Sequence, residues 1–119
     1  MIPTVVVSLK YLEMRNWVVD ILKGRFNKIK MIVVPSISRR DVTANLKHWD
    51  GKSPLLVIMD VPQLATESDW VAWRRRLPQK ASTLYLGPAS PLTRYVGLVE
   101  EAFIQSVEYF LDVRVSQTQ

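Results

Sequence analysis

The chain has 119 residues, 48% of them hydrophobic and 23% charged, and sixteen basic against eleven acidic side chains give it a net charge of +5. That is enough chain for one domain with a sizeable core, and it is too apolar for a disordered one. With no cysteine and a single histidine, His48, disulfides, thiolate catalysis, zinc–thiolate sites and His-rich metal centres are excluded, while carboxylate-only Mg²⁺ binding stays open.

The first element is read from Val5-Val6-Val7, a β-branched run suited to a strand buried on both faces. Residues 11–23 follow with Leu12, Trp17, Val18, Ile21 and Leu22 apolar, spacings that turn one face of a helix inward, with Gly24 as its stop. Residues 29–34 alternate and then run apolar up to Pro35, a second strand. Ser38 is a good N-cap with Asp41 three residues on, so a helix is expected over 38–48, burying Val42 and Leu46.

The turn Asp50-Gly51-Lys52-Ser53 leads into Leu55-Leu56-Val57-Ile58-Met59, the most hydrophobic stretch, which ends at Asp60. A continuous apolar run bounded by turn residues reads as the central strand of a parallel sheet. Glu67-Ser68-Asp69-Trp70 opens a further helix that stops at Pro78, its acids suited to a helix N-terminus. Thr83-Leu84-Tyr85-Leu86 is a fourth strand, closed by Gly87-Pro88.

Residues 91–112 admit two readings. Val96, Val99, Phe103, Val107 and Phe110 fit one long helix. Alternatively a short helix ends near Leu98, Ala102-Phe103-Ile104 is a fifth strand, and a last helix spans 107–115. The second is favoured because it completes five βα units. Alternating units with short loops imply an α/β fold: a three-layer, flavodoxin-like sandwich, its parallel sheet of about five strands covered by helices on both faces. One domain is expected over residues 1–115, followed by a polar tail at 116–119.

This layout resembles the receiver domain of bacterial response regulators across nearly the whole chain. The resemblance rests on Pro54-Leu55-Leu56-Val57-Ile58-Met59-Asp60-Val61-Pro62, similar to the receiver strand that ends in the phospho-accepting aspartate and runs into a proline-containing loop. It implies that Asp60 stands at the phospho-acceptor position. It also implies two acids after the first strand to hold Mg²⁺, a hydroxyl ending the fourth strand and a lysine ending the fifth. Ser8 and Lys10 stand where the acids belong, Gly87 where the hydroxyl belongs, and Gln105 where the lysine belongs. A phosphoryl group carries about two negative charges, and one carboxylate is too few ligands to draw Mg²⁺ from its hydration shell.

The expectation is therefore a degenerate receiver. It is a signalling and interaction module, not an enzyme, with no cofactor and no metal, and Asp60 is its vestigial phospho-acceptor. Partners are a homodimer or a related bacterial transcription regulator, with DNA contacted through a separate domain outside this chain. The expected interface is Tyr95, Leu98, Phe103, Tyr109 and Phe110, since aromatic side chains bury large area at small entropic cost.

Two other classes stand beside it. A small-ligand- or nucleotide-binding α/β domain lacks a glycine-rich phosphate loop, its four glycines being scattered. Nucleic-acid binding would draw on Lys23, Arg25, Lys28, Lys30 and on Arg74-Arg75-Arg76, but no aromatic-interleaved basic element accompanies them. With no run near the ~18 apolar residues of a spanning helix and no signal-peptide pattern at the start, a cytoplasmic location without membrane contact is expected.

Overall fold

A computed structural model describes residues 2–34, 46, 49–60, 66–76, 81–86 and 96–118. In chain order the elements are β1 (Thr4–Ser8), α1 (Leu12–Arg25), β2 (Lys30–Val34), β3 (Leu55–Asp60), α2 (Glu67–Arg76), β4 (Ala81–Leu86) and α3 (Val96–Thr118). The four strands form one parallel sheet in the order β2-β1-β3-β4. Parallel pairing requires a crossover between each pair of strands, which is why strand-like and helix-like stretches alternate in the sequence.

β1 and β3 occupy the middle. Val5, Val6 and Val7 and the run Leu55–Met59 are buried on both faces of the sheet, as continuous apolar strands require. In register, Val5 lies beside Leu56 and Val7 beside Ile58. These four point to one face, where they pack with Met14, Val18 and Leu22 of α1 and with Phe103, Val107 and Phe110 of α3. The ring of Trp17 meets that of Phe103 at 5.4 Å between centroids, joining the two helices. The opposite face gathers Val6, Val34, Leu55, Val57 and Met59, with Leu46 and Trp49 against them. The helix expected over 38–48 lies outside the described residues apart from Leu46.

α1 departs from expectation at both ends. It does not stop at Gly24 but runs on to Arg25, and the chain leaves it at Phe26 in an extended conformation, with Phe26 N–H bonded to the Leu22 carbonyl. Gly24 does not adopt positive φ, so it is an ordinary helical residue and no left-handed cap. Leu12, expected inward, is 60% exposed; Met14 takes the buried position instead.

The larger correction concerns the C-terminal third. Ala102-Phe103-Ile104 is not a fifth strand but part of the continuous 23-residue helix α3, and the described sheet has four strands. No glycine or proline occurs between residues 98 and 118, so nothing in the sequence breaks the helix. Buried Phe103, Ile104, Val107 and Phe110 recur at helical spacing. At 1.5 Å per residue α3 is about 34 Å long, against about 20 Å for a six-residue strand.

Candidate functional site

In an open parallel α/β sheet, ligand chemistry sits beyond the carboxyl ends of the strands, where the strand order reverses. In the order β2-β1-β3-β4 that point lies between β1 and β3. Ser8, the last residue of β1, is in register with Met59, so Asp60 extends one residue past it. The fold thus brings Ser8, Lys10 and Asp60 to one edge.

Their arrangement is specific. The backbone N–H of Lys10 donates to Asp60 Oδ2 at 2.8 Å. Leu9 turns down into the core, Ser8 is fully buried, and the Lys10 ammonium lies 5.8 Å from the centroid of the Tyr11 ring. Tyr11 is the N-cap of α1 and contributes no side-chain cap bond. The Asp60 carboxylate therefore takes up a solvent-exposed backbone donor just where the chain turns from β1 into α1. Nothing in the sequence names this donor. Lys10 is fifty residues away in sequence, and only the parallel adjacency of β1 and β3 joins them.

Among the described residues no group of three or more His, Cys, Asp or Glu stands together in a way that could hold a metal ion. Gly87, expected where a receiver would carry its hydroxyl, lies outside the described residues. Gln105, expected at the end of a fifth strand, lies instead on an exposed turn in the middle of α3.

The five aromatic and aliphatic residues expected at an interface divide. Phe103 and Phe110 belong to the monomer core, 4% and 6% exposed, because the helical period turns both toward β1 and β3; their side chains are not available to a partner. Tyr109 is 72% exposed. Tyr95 lies outside the described residues, as does the side chain of Leu98.

The opposite, amino-terminal edge holds a second polar cluster, built around the turn before β3. Asp50 Oδ1 accepts from Lys52 N–H at 2.8 Å, Ser53 N–H at 2.7 Å and the Ser53 hydroxyl at 2.9 Å. The backbone donors of Ser53 and Lys52, in that order, hold the Asp50 carboxyl below its ordinary value of 3.8. Trp49 Nε1 donates to the Ser53 carbonyl at 3.0 Å, and Ser53 Oγ lies 3.2 Å from Thr4 Oγ1. This cluster fixes the start of β3 beside β1, and Gly51 at φ +77° makes its turn possible.

No family model matches the chain, and searches of curated proteins and of solved structures return no match.

Proposed function

We propose that the chain is a receiver-like interaction module that works without phosphorylation, a pseudo-receiver serving dimerisation or partner binding in a bacterial transcription regulator. The observation that carries this reading is the hydrogen bond from Lys10 N–H to Asp60. It gives the carboxylate at the phospho-acceptor position a structural task, with Ser8 and Lys10 beside it instead of acids. A nucleophilic carboxylate approaching a phosphoryl group of about two negative charges needs a metal to neutralise both. One carboxylate that already accepts from the backbone is a poor Mg²⁺ ligand set. The parallel order β2-β1-β3-β4 supports the flavodoxin-like frame. Right-handed crossovers would lay α2 on the face opposite α1, giving the three-layer sandwich.

The test is incubation with acetyl phosphate, and separately with beryllofluoride, at millimolar Mg²⁺, read by intact mass and by amide chemical shifts around Asp60. The mass is expected to stay unmodified and the shifts unmoved. Asp60→Asn, whose amide oxygen still accepts from Lys10 N–H, is expected to leave the urea midpoint almost unchanged. A stoichiometric phosphoryl adduct that Asp60→Asn abolishes would overturn the reading.

A further inference from the structure

We infer that the amino-terminal edge of the sheet is a docking surface for the phosphate backbone of a nucleic-acid duplex, bound without regard to base sequence. This goes beyond the interaction-module reading and does not depend on it, because the edge lies opposite Asp60.

Basic residues that are scattered in sequence are gathered by the parallel topology. Each helix between parallel strands returns the chain from the carboxyl end of one strand to the start of the next, so helix ends and strand starts share one edge. α1 brings Lys23 and Arg25 in its last turn, and the turn into β2 adds Lys28 and Lys30. Lys52 stands in the turn before β3, and these five side chains are exposed. α2 ends in Arg74-Arg75-Arg76, five residues before Ala81 opens β4, and Arg75 is exposed. In the described segments the acids on this side are Asp20, Asp50, Glu108 and Asp112, half as many as the basic residues just named. Lys30 is partly offset, since its charge acts on Asp50. A helix C-terminus attracts cations, which accounts for Lys23, Arg25 and the α2 arginines, and Lys30 also guards an edge strand. Lys28 and Lys52 sit in turns, at neither a helix end nor a strand, and neither explanation reaches them.

The spacing suits a duplex. Lys30, Thr4, Leu55 and Ala81 cross the sheet in register. At about 4.8 Å per strand that row spans about 14 Å, close to the ~12 Å width of a B-form major groove, so cations based at its two ends are spaced to meet both phosphate rows. A duplex carries one charge per about 1.7 Å of its axis, a density that matches a broad positive edge. The rings nearest the strand starts, Phe26 and Trp49, are half-buried, and Trp49 Nε1 is committed to Ser53, so a single strand finds little to stack on. Among the described residues Ile2 is the one large apolar side chain exposed beside the strand starts, too little to anchor a lipid surface.

Fluorescence anisotropy with labelled duplexes of two unrelated sequences, each as DNA and as RNA, tests this; binding of either nucleic acid supports the inference. The two sequences are expected to bind alike within about tenfold, with a dissociation constant near ~1 µM at about 50 mM salt that weakens roughly 500-fold by about 200 mM, the slope of about five phosphate contacts. Lys28→Gln combined with Lys52→Gln is expected to weaken binding at least about tenfold and to lower the slope by about two, and Arg75→Gln to lower it by about one. Asn16→Glu combined with Gln105→Glu, at exposed helix sites, changes the net charge equally and is expected to leave the slope unchanged. Urea midpoints verify that the variants fold, and the salt slope of the unaltered chain needs no variant. Absence of duplex binding at about 50 mM salt overturns the inference, including the case in which anionic phosphatidylserine vesicles are bound instead. So does a larger preference for one sequence, or an equal loss in the two double variants, which would make binding a matter of whole-molecule charge. The phosphoryl-transfer result stands apart, since an adduct on Asp60 refutes the loss of chemistry and leaves this edge untouched.

Discussion

Val57 and Ile58 are adjacent in β3, fully buried, and belong to opposite faces of the sheet, so truncating each reads the packing of one layer. Ile58→Ala removes three carbons and Val57→Ala two. At about 0.8 kcal/mol per buried methylene the transfer loss is roughly 2.4 and 1.6 kcal/mol. The residual cavity adds about 24 cal/mol per Å³. With some 25–30 Å³ per carbon and partial relaxation, this brings the totals to about 3–4 kcal/mol for Ile58→Ala and about 2–3 kcal/mol for Val57→Ala. At a urea slope of about 1.5–2 kcal/mol/M for a domain of this size, the midpoints should fall by roughly 2 M and 1.3 M. Equilibrium urea unfolding followed by far-UV circular dichroism measures both, with the four tryptophans as a second probe of two-state behaviour. If Ile58→Ala falls as expected and Val57→Ala shifts by less than about 0.3 M, an exposed-site effect, the face of Val6, Val57 and Met59 is not packed and the two-sided core is refuted.

Two glycines should respond to alanine in opposite directions. Gly51 sits at φ +77° with open space where a Cβ would stand, so Gly51→Ala meets only backbone strain and should cost about 1–2 kcal/mol. Gly24 lies inside α1 with nothing within 4 Å of an added Cβ, so Gly24→Ala should stabilise by about 0.5–1 kcal/mol; equal signs in the urea midpoints would contradict the assigned conformations. Asp50, held below 3.8 in the folded protein by Ser53 and Lys52, contributes stability that is present above its unfolded value and is lost as pH falls through the folded one. Asp50→Asn should therefore lower the midpoint at neutral pH and flatten its decline as pH falls below 3.8, and an acid limb as steep as in the parent chain would disprove the role.

Much of the fold was legible because burial on both faces leaves an unmistakable trace. Val5-Val6-Val7 and Leu55–Met59 admit no amphipathic reading, and both are central strands. The α/β alternation followed from the spacing between them. Residues 102–104 were not legible in the same way. Three apolar residues in a row satisfy a strand and a helix face equally, and the preference for a strand came from counting βα units. The deciding feature, an uninterrupted stretch without glycine or proline through residue 118, was present but outweighed by that count. Gly24 misled for a related reason: glycine is read as a stop, yet with the buried Leu22 before it and half-buried Phe26 after it, tertiary packing carries the helix past the signal to Arg25. At the candidate site, Asp60 was found from its place at the end of an apolar run, while its donor, a backbone N–H, has no signature in any side chain.

That donor bears on what an acid at residue 60 means. An aspartate closing the central strand of such a sheet invites a catalytic reading because the carboxyl edge is where ligands sit. The same edge is also where backbone groups are left over, since strands end there and helices begin. α1 starts without a side-chain cap from Tyr11, and Asp60 reaches across from the neighbouring strand to accept Lys10 N–H. The aspartate thus has a reason to stand at this position that needs neither metal nor phosphoryl group.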